Sequence, residues 1–572
     1  MLKAKDIVAI LVTTIVIIGI AVGPVSGQNK RLPTQGGDKD NWGTLLNEYL
    51  SQEHNIDGTH KLKTLETLTG VVNVRDFGAK ADGVTDDVPA FEAARDYLVT
   101  KGGGVIYVPP GQYIMTRAFD LKNNISVIGT GWASNLHGRP TSPGTLIPMI
   151  YTYNIGNLTL SGLRFTHEGI PSVNLSGRGV MQLNSYGSTP IRLTVKGNFF
   201  DNIQSSAIVI GGDGELESFV ENNFIINPGE HGIYVAGSKS LVIRGNIITG
   251  SGSQGIHTGT CGVKVSRNDA KMVLIDGNII KNQNVQANHS GGGICVEEPA
   301  LKVTIVNNQI LTNGTLTNGS GNAYSSGIAI SSDNNVVANN RILMTSGGNV
   351  DGIVVGGGAG TPTGNVIHGN TITGGFGEPL LIAANARYTV ISGNTLEGTA
   401  GGWTISDSGD NTLIKDNVIT AGGYGIQLSG SSDGDRVIDN VIASTAKYDV
   451  SAGPTNYIIR DLGNLTPAVE QYWAGKFTIG KDGTPISSHL SATAVWNPAS
   501  LADGAVTSTT VTVSGAAAGD IVNAGHDQIG VNNVQISAHV ESANTVRVIL
   551  RNASGAILDL ASGTLRVGVW KY

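Results

Sequence analysis

The chain is poor in cysteine, in charge and in aromatics, and each shortage removes a class of protein. Two cysteines, Cys261 and Cys295, in 572 residues exclude a disulfide-rich scaffold and leave no thiolate cluster for a structural metal. They fall at different positions within the repeats described below, so a bond between them is not expected. Charged residues make up only 14% and the net charge is −7, which denies the chain the basic face of a nucleic-acid-binding protein. Yet 40% of residues are hydrophobic, too many for a disordered chain. The length exceeds what one compact core organises, so more than one domain is expected.

Glycine is what the chain has in quantity. Its 80 glycines follow no Gly-X-Y period, so they read as turns in an all-β protein. The single long apolar run, Ile7 to Val22, follows Lys3 and Lys5 and precedes Gly23-Pro24-Val25-Ser26-Gly27. A basic start, an apolar stretch and small residues make residues 1–27 a secretory signal, or a membrane anchor if the segment stays uncleaved. Both readings place the rest of the chain outside the cytoplasm, extracellular or on a cell or virion surface. Residues 28–70 are polar and read as a linker or stalk.

From Val71 onward short β-branched runs alternate with Gly and Asn. Two-residue signatures ending in Asn recur, from Gly197-Asn198 and Asn222-Asn223 through Gly245-Asn246, Gly277-Asn278, Asn307-Asn308, Asn339-Asn340 and Gly369-Asn370 to Gly463-Asn464. The second Asn residues lie 23 to 32 positions apart, which is one coil of a β-solenoid with insertions. Asn accepts the left-handed backbone of a sharp corner, and its amide can bond the Asn of the next coil. Stacked coils then make an Asn ladder, a structural role. Between the corners lie strands such as Gly232-Ile233-Tyr234-Val235, Gly255-Ile256-His257-Thr258 and Gly293-Ile294-Cys295-Val296. Alternation turns their first and third residues after Gly inward and the second and fourth outward.

The segment Val74-Arg75-Asp76-Phe77-Gly78-Ala79-Lys80-Ala81-Asp82-Gly83-Val84-Thr85-Asp86-Asp87 opens this region, with Gly102-Gly103-Gly104-Val105-Ile106-Tyr107-Val108-Pro109-Pro110-Gly111 after it. Together they resemble the pectate-lyase-like β-helix superfamily, which includes phage tailspikes, polygalacturonase-like hydrolases and alginate-type epimerases. The resemblance implies a right-handed, single-stranded parallel β-helix over residues 71–465, acting on or binding polysaccharide. Asp86 or Asp87 caps an amphipathic helix, Val88 to Thr100, placed to plug the open end of the solenoid. Asp76, Asp82, Asp86 and Asp87 are therefore turn and cap residues. Residues 466–572 lack the Asn repeat, alternate like strands and resemble C-terminal modules of phage and virus spikes. They read as a small β-sandwich or a trimerisation domain, so a homotrimer is expected.

Chemistry is expected where loops flank the strands, between Asn246 and Asn370. Tyr234 and His257 share a strand position on successive coils, and Glu297 lies one coil on. These three are the candidate catalytic residues, with His231, Glu298, Lys264, Arg267 and Asp351 as candidate substrate contacts. Tyr234 with His257 and a nearby base suits elimination or epimerisation of a uronate, while paired carboxylates are what hydrolysis needs. The motif series of polygalacturonases and the Tyr-Gly-Phe-Asp-Pro-His segment of mannuronan epimerases are absent. No cofactor is implied, and no Asp cluster of the calcium-dependent kind lies on the strand face. The reading is an exported protein that binds and cleaves polysaccharide as a lyase or glycoside hydrolase. The alternative is a non-catalytic glycan-binding surface or spike protein.

Overall fold

The computed structural model describes residues 70–460 and 484–572, apart from 142–146, 169–178, 185–190, 213–215, 253–259, 268–269, 283–290, 313–325, 345–350, 359, 375–376, 399–400, 422, 431, 445, 451–457, 485 and 531–532. The candidate signal or anchor and the linker lie outside these residues. No described helix is long and apolar enough to cross a membrane.

Residues from Val71 to Arg460 wind into a right-handed parallel β-helix. Its walls are three parallel sheets of 15, 14 and 13 strands, called here the first, second and third. The first begins at Val71–Asn73, the second at Asp82–Asp86 and the third at Phe119–Asp120. Each strand pairs with its counterpart one coil later, so equivalent side chains stack. Ile248, Ile280, Ile310 and Ile342 form one such interior column, and all four are buried. Stacked like residues pack against one another, because each coil presents its neighbour with the same shape.

The two residues of each Asn signature divide the work. The first takes the left-handed turn, as with Asn307 at φ +57° and Asp416 at φ +55°. The second is fully buried and builds the ladder. Asn278 donates its backbone N–H and its side-chain amide to Asn308 Oδ1, both at 2.9 Å. Asn308 repeats this toward Asn340 at 3.0 and 2.9 Å and also donates to the carbonyls of Ile275 and Val306 at 2.9 Å. A second ladder starts at Asn335, which donates to Asn365 in the same way at 2.9 and 3.0 Å.

The α-helix Val88–Thr100 lies over the first coil as expected. Phe91 is buried edge-on to Tyr113 and Phe119, with ring centroids 5.6 and 5.4 Å away. Asp87 stands at its N-cap position but makes no side-chain cap bond. Its carboxylate instead accepts the N–H groups of Lys80 and Ile114, at 2.6 and 3.1 Å, tying the opening motif to the first coil.

The C-terminal residues form two three-stranded antiparallel sheets. One holds Ser488–Trp496, Gly563–Lys571 and Ile521–His526; the other holds Val506–Thr512, Thr545–Asn552 and Val534–Ser542. Val511, Val546, Val548, Leu565, Val567 and Val569 make the core between them.

Replacing Asn308 with Ala removes the acceptor of the buried Asn278 N–H and the amide that bonds Asn340 and the Ile275 and Val306 carbonyls. At about 1–3 kcal/mol for the orphaned N–H and about 1 kcal/mol for each further bond lost, the loss is expected to reach at least about 3 kcal/mol. Asn307→Gly keeps the turn and is expected to change stability by less than about 1 kcal/mol. Urea unfolding midpoints of the two variants compare them; equal shifts would contradict the division of work.

Candidate functional site

The third sheet is bent, and the bend makes a trough. Cys295 pairs in register with Lys264, three residues beyond Cys261. In straight strands Cys261 and Cys295 would stand about 11 Å apart, yet their Cα atoms are 6.2 Å apart and the sulfurs are bonded. His231 and Tyr234 likewise bring their rings to 5.3 Å across three residues of one coil. The chain folds at the intervening glycine. A Cβ on Gly232 would sit 2.5 Å from Ile248 Cγ2 and 2.6 Å from the Gly262 carbonyl oxygen, and Gly293, Gly327, Gly352 and Gly425 are hemmed in similarly. At those coils only glycine lets the strand come this near the second sheet, although Pro379 and Thr404 stand at the same position in two others. Outside the bend, the residue before the glycine and the one two places after it face each other across a concave line.

This geometry corrects several expectations. The cysteines are partners, because the bend removes the separation that straight strands would impose. The neighbour of Tyr234 one coil on is Lys264, since the strand of that coil is Thr260–Val265; His257 lies outside the described residues. Tyr234 faces outward but is only 9% exposed, its hydroxyl 3.1 Å from Ser266 Oγ. His231 is buried; its Nδ1 accepts the Cys261 N–H at 3.0 Å and its Nε2 lies 3.6 Å from Glu230 Oε1. Neither ring is open to a polymer. Glu297 does face outward, and Lys264 Nζ holds its Oε1 at 2.9 Å, so each charge neutralises the other. Glu298 is exposed and fills the space that a side chain at Gly360 would need. Arg267 is exposed at φ +78°, and its carbonyl accepts the Ala270 N–H at 3.1 Å. The disulfide and the His231–Tyr234 pair fill this end of the trough.

Further along, the trough opens. Register continues the outer line as Asp351, Glu378, Trp403 and Tyr424, one residue per coil. Asp351 Oδ1 accepts the Glu378 N–H at 3.1 Å. Burial first, and then the Glu378 carboxylate, push the Asp351 carboxyl up to about 7. Burial raises Glu378 as well, opposed by a hydrogen bond from Ser406 across the trough. Trp403 stacks on Tyr424 with centroids 4.7 Å apart and planes at 29°, and Tyr424 is 39% exposed. Two acids that share a raised proton affinity, followed by an aromatic platform, are suited to a sugar chain and to proton transfer at its linkage.

Asp351 was expected as a contact, whereas the Trp403–Tyr424 platform was not. Their signal in the sequence is position: each stands just before the bend residue, Thr404 or Gly425, and alternation in a straight strand hides that line.

Residues 71–278 match the family described as rhamnogalacturonase A/epimerase, pectate lyase-like, and residues 206–382 match the right-handed β-helix region. Mannuronan C5-epimerase AlgE1 of Azotobacter vinelandii is 26% identical over 219 residues, which are 32% of this chain and 16% of the epimerase. Alginate lyase 7 of the same organism is 28% identical over 210 residues, 30% of this chain and 24% of the lyase. The chain thus spans about a sixth to a quarter of the length of these curated relatives. The Dettilon tailspike protein shares the fold, with a TM-score of 0.51 at 16% identity over 92% of this chain and 100% of its own.

Because the Asp351 carboxyl holds its proton up to about 7, folding binds a proton that the unfolded chain releases near pH 4. Stability from this group is full at low pH and falls as pH rises toward 7. Asp351→Asn keeps the acceptor for the Glu378 N–H and removes the charge. It is expected to raise stability at pH 8 by about 1–2 kcal/mol, the pKa difference discounted for partial exposure, and to leave it unchanged at pH 4. Thermal melts at the two pH values test this, and a loss of stability at pH 8 would refute it.

Proposed function

We propose that this chain is an exported polysaccharide-binding protein that hydrolyses its glycan in the open trough, with Asp351 as the acid and Glu378 as the partner carboxylate. The observation that carries the reading is the pair of carboxylates on neighbouring coils beside the Trp403–Tyr424 platform. Coils lie about 4.8 Å apart, close to the roughly 5–5.5 Å between carboxyls that retain anomeric configuration. Glu378 attacks the anomeric carbon as the glycosidic C–O bond breaks, and Asp351 gives its proton to the departing oxygen. Water, deprotonated by Asp351, then displaces Glu378, which releases the sugar and restores both groups.

Elimination at the Tyr234 end is the weaker reading. There Lys264 is bound to Glu297, and the His231 and Tyr234 rings are covered. Relatives named for mannuronan and alginate support action on a polysaccharide. Export is supported by the Lys3–Gly27 segment and by the Cys261–Cys295 bond, which forms in oxidising compartments. A homotrimer, by likeness to tailspikes, completes the proposal.

Asp351→Asn and Glu378→Gln are each expected to lower the cleavage rate at least about 10³-fold while glycan binding persists. Lys264→Met with Glu297→Gln is expected to change it less than about tenfold. Activity should follow a bell in pH, its alkaline limb near the Asp351 value of about 7 and its acid limb set by the raised Glu378. Reducing ends and the anomer first formed, followed by NMR on a glycan panel, provide the readout. Products with unsaturated ends would replace hydrolysis with elimination. Binding without cleavage in the unaltered chain would make it a non-catalytic glycan-binding spike.

A further inference from the structure

We infer that the glycan seated in this trough is uncharged, a neutral polysaccharide and not a polyuronate. The inference rests on the trough being the glycan site, and it comes from where the positive charge lies.

The trough strands Ser326–Ile330, Asp351–Val355, Leu380–Ile382, Trp403–Asp407 and Tyr424–Leu428 contain no Lys or Arg. The segments leading into them, 313–325, 345–350, 375–379, 399–402 and 422–423, contain none in sequence. The basic residues of these coils are elsewhere. Arg341 is on the second sheet and Lys415 on the first, and Arg387 is paired with Asp410. On the filled side, Lys264 is bound to Glu297.

A uronate in this trough would bring its carboxylate beside Asp351 and Glu378, with no Lys or Arg on the described trough strands to neutralise it; Lys447, on the strand paired with Tyr424–Leu428, stands three coils from Glu378. Like charges at that range repel strongly in a partly desolvated site. Abstraction of the proton next to a uronate carboxylate also needs that carboxylate neutralised, so the trough lacks what elimination or epimerisation requires. A neutral pyranose meets neither obstacle. Its C–H face lies on the Trp403–Tyr424 stack, and its hydroxyls reach Glu378, Ser406 and Gln427 along the two lips. The chain therefore keeps the scaffold shared with relatives named for mannuronan and alginate, and has a trough of different charge.

The test is binding of the full chain to two sets of probes by saturation-transfer NMR at pH 7. One set is neutral: dextran, galactomannan, arabinogalactan and an O-polysaccharide without acidic sugars. The other is polymannuronate and polygalacturonate oligosaccharides. The expected result is binding to at least one neutral probe, at least tenfold weaker binding to both polyuronates, and loss of the neutral signal in Trp403→Ala but not in Trp403→Phe. In the double variant Asp351→Asn, Glu378→Gln, polyuronate binding should rise at least tenfold while the neutral signal holds. Polyuronate binding that matches or exceeds the neutral probes and is lost in Trp403→Ala would overturn the inference while leaving the trough as the site. Binding of any probe that is indifferent to Trp403→Ala, or no binding by any, would overturn the trough reading and the inference with it.

Discussion

Everything in the β-helix depends on how its corners satisfy buried backbone. A coil that turns inward on itself takes peptide N–H groups and carbonyls out of water, and each must find a partner. The Asn ladder answers this with one side chain per coil. Its oxygen takes two donors from the coil before, and its amide reaches the carbonyls and the coil after. Because every rung is also its neighbour's partner, the spacing between coils is held to the hydrogen-bond length. That common spacing lets Ile248, Ile280, Ile310 and Ile342 stack directly. A regular interior in turn frees the outer face to vary from coil to coil.

The second constraint is steric and belongs to the third sheet. Gly232, Gly293, Gly327, Gly352 and Gly425 let the strand crowd the isoleucines of the second sheet, which folds the outer face into a trough. The backbone is much the same at each of these coils, so the side chains alone decide what the trough is. The His231–Tyr234 contact and the Cys261–Cys295 bond fill it. From Asp351 onward acids and then aromatics line it and leave it open. One scaffold thus carries a closed end and a working stretch within a few coils.

How far these features could be read from the sequence follows the same division. The Asn corners repeat in type and spacing, so the solenoid was legible; its handedness came from the family resemblance, and the capping helix from the Asp86-Asp87 motif before Val88. The second ladder was not, because its position changes identity: Asn335 and Asn365 are followed in register by Thr389, whose hydroxyl bonds nothing among the described residues, then Thr412 and Asp435, whose Oδ1 accepts the Thr412 N–H at 2.9 Å. The site was legible only in part. The coil after Tyr234 contains two similar runs, Gly255-Ile256-His257-Thr258 and Gly262-Val263-Lys264-Val265, and a repeat that varies from 23 to 32 residues cannot choose between them. Backbone pairing selects the second, which puts Lys264 where His257 was expected. Strand alternation assumes a straight strand, and so it hid both the disulfide and the line of residues that ends in Trp403 and Tyr424.

Proton affinity ties the working stretch to the scaffold. Asp351 and Glu378 in the trough share raised carboxyl pKa values with Asp407, which faces the interior beside Thr412 and Asp435. Burial is the leading cause in every case, and neighbouring acids add to it at Asp351, Asp407 and Asp435. Each such group is most favourable when protonated, so each adds stability at low pH that is lost as pH rises through its folded-state value. The C-terminal coils are therefore strongest in mildly acidic solution, where Asp351 also holds the proton that a general acid must donate. In this half of the helix the conditions that favour the fold and the conditions that favour the proposed chemistry coincide. An ion-paired trough, with Lys or Arg beside each carboxylate, would have removed the stability cost at high pH and the acid together.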